Sequence, residues 1–288
     1  MKKFCKVIHT RWLACWLLAA LLPVSWAHAA TSEIAGKVSR LMEASGINHS
    51  VNQILPGVLG SVDAAQPQQP LPANIRAALR DAATQGFQSA PMLEKVRAKL
   101  VMLEEKQIGD TLAWLDTPLG RRITGLENAA SDHAATPKIQ AYIEELKKRP
   151  APGPRLRLIQ ELKRATGSAE MVNNITEAIV LATALGVNAA HPRQLQVPAD
   201  TIRKQVKAGL SQIHKQNEQL VTTVMLYTYR PLADTEIENY IQFANSASGA
   251  AYHRSAVAGV GDALLESIAR FMTAIPKAME RTRGAVGA

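Results

Sequence analysis

The residues most able to do chemistry in this chain are scattered. Setting aside an N-terminal segment described below, five histidines remain, His49, His133, His191, His214 and His253, each alone along the sequence. None has the i, i+4 or carboxylate spacing that gathers metal ligands on one helix face, so no metal site is expected. Asp132-His133 is the nearest approach to an acid–base pair, but adjacent residues on a helix point apart, which favours a polar loop or helix end. Asp116, Thr117 and Arg121 lie close enough to form a small polar site; the simpler reading is that they cap a helix. Glu104-Glu105 and Glu144-Glu145 read as solvated faces. No Gly-x-Ser-x-Gly elbow, Ser-x-x-Lys pair, His-Glu-x-x-His or phosphate-cradling glycine loop occurs, so neither catalytic residues nor a cofactor is expected.

One charge asymmetry bears on binding. Lys147, Lys148, Arg149, Arg155, Arg157, Lys163 and Arg164 face only Glu161 in the same stretch. Such a run can contact an anionic lipid surface or an acidic envelope polymer, at about 1 kcal/mol per basic group. It can equally be a connector kept in solvent by its own charge. No aromatic residues interleave with the basic ones to stack on bases, so nucleic acid is not an expected partner.

These groups must be positioned by a chain of 288 residues, 47% hydrophobic and 20% charged, which is the composition of a folded protein with a core of its own. The first 29 residues read as an export signal. Lys2, Lys3, Lys6 and Arg11 make a basic start without an acid, residues 12–26 are almost wholly apolar, and Ala27-His28-Ala29 fits the small-x-small cleavage rule. Cleavage is expected after Ala29, giving a periplasmic protein without a transmembrane anchor. Processing removes those four basic residues, lowering the formal charge from +9 to +5, and takes both cysteines, Cys5 and Cys15, with it. The mature fold would then be indifferent to redox state.

The remainder reads as helix throughout, an all-α fold. Ile202, Val206, Leu210, Ile213, Leu220, Val221 and Val224 recur at three- and four-residue spacings, as do Val257, Val260, Leu264, Ile268, Phe271 and Ile275. Thr136-Pro137 and Asp234-Thr235-Glu236 read as helix starts. The chain also repeats itself. Residues 41–54 (LMEASGINHSVNQI) match residues 162–175 (LKRATGSAEMVNNI), Val101-Met102-Leu103 recurs as Val224-Met225-Leu226, and Gly120 after Trp114 recurs as Gly249 after Phe243. Short Ala- and Leu-rich helices match easily by chance; three landmarks in one order imply two related helical units. Prolines and a glycine at 149–154 mark a linker between unit 1, residues 30–148, and unit 2, residues 155–276, with a flexible basic tail at 277–288. Residues 66–72 (QPQQPLP) read as a surface loop, and 187–198, with His191-Pro192, as its counterpart.

The run from Trp114 through Thr117, Pro118 and Gly120 to Arg122, and the run from Asp234 through Phe243 and Ser246 to Gly249, resemble the signature of a bacterial exported family, domain-of-unknown-function family 2059. Its pattern is an acidic helix start, an aromatic residue, a Ser or Thr, often Pro, and a Gly. The resemblance implies a helical exported protein and supplies no activity. Unit 1 departs from it by lacking the acidic start, and unit 2 has Ala247 in place of proline. Trp114, Thr117, Pro118, Gly120, Phe243, Ser246 and Gly249 are therefore expected to build a structural corner: a cap, a first-turn residue, and a glycine that admits close approach.

Three functions are compatible with this sequence. The leading one is a non-catalytic envelope protein that binds another protein; the alternative is a periplasmic carrier or sensor of a hydrophobic or anionic ligand. Met92, Met102, Met225 and Met272 would suit an adaptable pocket for the latter, or ordinary core packing. The third is an enzyme whose residues are too dispersed to recognise.

Overall fold

Apolar residues at three- and four-residue spacing, few β-branched runs and no strict alternation leave helix as the way to bury this chain's hydrophobic surface. The computed structural model describes residues 24–63, 72–190 and 193–286, and among the described residues it is all-α. The first seven helices are α1 (Val24–Ala44), α2 (Ile47–Asp63), α3 (Ala73–Gly86), α4 (Ser89–Leu100), α5 (Glu105–Leu115), α6 (Pro118–Ser131) and α7 (Thr136–Lys148). After the proline-rich break come α8 (Gly153–Thr166), α9 (Ser168–Ala190), α10 (Ala199–Gly209), α11 (Ser211–Thr228), α12 (Asp234–Asn245) and α13 (Ala247–Val286). Residues 1–23 of the expected signal, most of the loop at 66–72 and His191-Pro192 lie outside the described residues. No helix among the described residues is long and apolar enough to cross a membrane.

Two hydrophobic cores carry the fold, and each is finished by a helix from the far side of the break. The first joins Leu41 and Met42 of α1, Val51 of α2, Val96 and Leu100 of α4, and Ile108 and Leu112 of α5 to Tyr252 and Ala263 of α13. The second joins Ile159 and Leu162 of α8, Met225 and Leu226 of α11, and Ile237 and Ile241 of α12 to Ile123 of α6. The stretches on either side of the linker therefore do not own separate cores. α13 lies close along α4 and α3, which small residues permit: a Cβ on Gly259 would sit 2.8 Å from Val96 Cα, and one on Gly86 2.8 Å from Phe271 Cα.

Several sequence expectations need correction. The tail from residue 277 is not a flexible end as far as residue 286; α13 continues through Pro276, and Ala274 and Ala278 pack against Ala78 and Ala82 while Arg281 pairs with Asp81 at 2.8 Å. The alanine stripe lets the two helices close up, and that contact outweighs the one backbone bond lost at the proline. The linker is shorter than 149–154, since Gly153 and Pro154 already form the first turn of α8, where proline's missing N–H costs nothing. The stripe from Ile202 to Val224 is broken at Gly209 into α10 and α11. Thr136 makes no side-chain cap on α7. The Val-Met-Leu landmark fails structurally, because Val101–Leu103 form the turn after α4, with Met102 81% exposed, whereas Val224–Leu226 lie within α11, with Met225 and Leu226 buried.

Other landmarks occupy matching local geometry. Leu41 and Leu162 are both fully buried near the ends of α1 and α8. Each of those helices is followed by a glycine in the left-handed region, Gly46 at φ 73° and Gly167 at φ 67°, a conformation costly for other residues. Lys37 on α1 reaches Glu105 at the start of α5 (2.5 Å), and Arg155 on α8 reaches Asp234 at the start of α12 (2.6 Å). Glu105 stands nine residues before Trp114, as Asp234 stands nine before Phe243, so the acidic helix start missing from the sequence reading of unit 1 is present.

Candidate functional site: a carboxyl chamber beneath two helix corners

The two motif runs form the turns between α5 and α6 and between α12 and α13. At the first, the Thr117 hydroxyl donates to the Trp114 carbonyl (2.7 Å) and accepts the Gly120 N–H (3.0 Å). At the second, the Ser246 hydroxyl donates to the Phe243 carbonyl (2.7 Å) and accepts the Gly249 N–H (3.0 Å). Pro118 fills the first position of α6, and α13 keeps the same cap with Ala247 in that place. The corners meet through their aromatic residues. Trp114 and Phe243 stack with ring centroids 4.0 Å apart and planes 7° from parallel, and Tyr240 stacks with Trp114 at 5.1 Å. Thr117→Ala and Ser246→Ala should each cost about 1 kcal/mol and lower the midpoint of thermal unfolding by about 2–4 °C, read by circular dichroism.

Below the stack lies an inner chamber of about 190 Å³, walled by Trp114, Phe243, Tyr229, Tyr240, Tyr252, Glu127 and His253 among others. The Tyr229 and Tyr240 hydroxyls both donate to Glu127 Oε1, at 2.6 and 3.1 Å. Burial raises the Glu127 carboxyl above its ordinary range, opposed in part by those two hydrogen bonds. Burial and the neighbouring carboxyl hold the Tyr229 and Tyr240 hydroxyls protonated well beyond the usual phenol range. Thr166, Met171, His253 and Val257 also line a larger groove of about 660 Å³ that runs outward between the α8–α9 turn and α13, with Arg164, Glu170, Arg254 and Asp262 along it.

His253 stands at the junction of chamber and groove with its Nε2 buried and without a hydrogen-bond partner. Burial depresses its pKa to about 4, so the ring is neutral near pH 7. In the unfolded chain an imidazole titrates near 6.5, and the unfolded state therefore takes up a proton first as the pH falls. The stability this neutral ring contributes is present above about pH 6.5 and is lost progressively toward about pH 4, by something on the order of 3 kcal/mol. His253→Phe should flatten the corresponding part of a plot of unfolding free energy against pH; an unchanged slope would refute the assignment.

Glu127 and its tyrosines were not legible as a site, although a signal existed. Glu127 falls on the stripe made by Leu119 and Ile123, where an acid has to be buried, and His253 extends the Val257, Val260, Leu264 stripe backward. The residues singled out from sequence lie elsewhere. Asp132 pairs with His49 Nε2 at 2.7 Å rather than with His133, whose ring sits against Gly60. Asp116 pairs with Arg40 (2.5 Å), and its carbonyl accepts from Arg121 (2.6 and 2.9 Å), so no polar site with Thr117 forms. His214 lies on α11, and no cluster of metal-ligating side chains occurs among the described residues.

The basic run is not one surface of free charges. Arg155 is held by Asp234 and the Tyr229 carbonyl, Lys163 by Thr222 and the Glu218 carbonyl, and Lys147 by Glu144. Arg164 borders the groove, Arg149 ends α7, and Lys148 and Arg157 lie on α7 and α8. Met92 and Met225 are core residues, while Met102 and Met272 are exposed, so the four methionines do not line one pocket. Comparison of the chain with protein-family models, with curated proteins and with solved structures gave no match to any of them.

Proposed function

We propose that this chain is an exported, non-catalytic binding protein of the bacterial envelope, and that the groove along α13 admits its ligand toward the chamber beneath the corners. The supporting observation is that groove and chamber share His253 as a wall, where a buried imidazole nitrogen has no partner among the described residues. Burying such a group without compensation costs about 1–3 kcal/mol, which a bound ligand would recover. This favours the carrier or sensor reading over the protein-binding one. The shared geometry of Leu41 and Leu162, Gly46 and Gly167, Thr117 and Ser246, and Gly120 and Gly249 supports two related units. The two corners are also where we place the relation to domain-of-unknown-function family 2059.

A second reading, docking of another protein, draws on large exposed apolar side chains: Ile179 midway along α9, and Leu195 and Val197 in the segment after it. Native mass spectrometry of the protein released gently from its own cells distinguishes the two. A reproducible added mass in the small-molecule range is the expected result. A bare monomer overturns the ligand reading, and a protein adduct replaces it with the second.

A further inference from the structure

We propose that the inner chamber recognises a small organic ammonium group. The inference deepens the preceding reading and rests on it, since the ammonium would reach the chamber through the groove.

The argument is one of charge and hydrogen-bond balance. Glu127 is the one acidic or basic side chain, histidine apart, among those lining the chamber, and it forms no ion pair among the described residues. Both hydrogen bonds that it receives at Oε1 come from neutral phenols. His253 Nε2, buried in the same wall, is unpartnered. Much of the donor capacity nearby is already committed: Tyr229 and Tyr240 donate to Glu127, Thr124 to the Ala44 carbonyl and Thr166 to the Leu162 carbonyl. What the chamber lacks is a positive charge.

The rest of the wall suits such a group. Tyr229 and Tyr240 touch the carboxyl, Tyr252, Trp114 and Phe243 line the same chamber, and aromatic rings exclude water and attract cations through their quadrupoles. A volume of about 190 Å³ is enough to accommodate a methylated ammonium head. An anion would meet Glu127, and an uncharged head would leave the carboxyl uncompensated or protonated. Met171 and Val257 at the shared wall, with Ile175 and Leu265 beyond the chamber, give the groove an apolar side on which a hydrocarbon chain could lie. The ammonium can therefore be a free metabolite or the head of an amphiphile.

The test is isothermal titration calorimetry of the full chain with choline, with its uncharged carbon isostere dimethylbutanol, and with dodecyltrimethylammonium below its micelle-forming concentration. Choline is expected to bind roughly tenfold or more tighter than the isostere, and Glu127→Gln to abolish that preference. Tighter binding of the dodecyl compound than of choline assigns the head of an amphiphile; equal binding assigns a free cation. Equal affinity for choline and the isostere overturns the proposal, as does a preference that survives Glu127→Gln, or no binding of either cation. The comparison on the unaltered chain decides the question even if the variant fails to fold. A small-molecule mass retained in native spectra by a chain that ignores both cations would sink the ammonium assignment and leave the groove reading standing.

Discussion

Gly249→Ala is expected to lower the thermal unfolding midpoint by about 6–12 °C, the equivalent of about 3 kcal/mol in a protein of this size. The added methyl group would lie 2.8 Å from the Phe243 carbonyl carbon and closer still to its oxygen. These are backbone atoms of the turn that Ser246 caps, so they cannot rotate aside as a side chain would. Relief requires opening the corner, which moves Phe243 away from Trp114. Gly120→Ala meets Leu115 Cα at 2.8 Å and the Trp114 carbonyl, and should behave alike. Gly109, exposed on α5 with nothing near its position, is the control: Gly109→Ala should stabilise by about 0.5–1 kcal/mol through helix propensity. A Gly249→Ala protein that melts within a degree of the parent would show that the corner is softer than its hydrogen bonds imply.

Trp114→Ala should cost about 3 kcal/mol or more, because this half-buried ring packs against residues of both cores. The more telling quantity is its coupling to Phe243. Parallel planes 4.0 Å apart predict that Trp114→Ala and Phe243→Ala together cost less than the sum of the two, by about 0.5–1.5 kcal/mol, in a double-mutant cycle read by urea unfolding. Additivity within about 0.3 kcal/mol would mean that the rings are neighbours without mutual stabilisation.

What could be read from the residues was whatever is settled within a few positions along the chain. The helical class followed from spacing, and the corners from Thr117-Pro118 with Gly120 and from Ser246 with Gly249, because a cap and its glycine lie three residues apart. Judgements that depend on a distant partner failed. Pro276 and the arginines beyond it look like an end until Ala78 and Ala82 are brought against Ala274 and Ala278. Matching letters paired Val101 with Val224, although one begins a turn and the other lies inside a helix. The chamber was invisible for the same reason: Glu127, Tyr229, Tyr240 and His253 stand far apart in sequence, and an apolar stripe does not say which helix it will meet.

That α13 completes the core of the earliest helices has a consequence in time as well as space. A chain that emerges N-terminus first presents α1, α2, α4 and α5 well before Tyr252 and Ala263, which fill the same core roughly 140 residues after Leu115. The second core, by contrast, finds Ile123 already made and can close as soon as α12 emerges. The core of the early helices is therefore the last to have all its residues available.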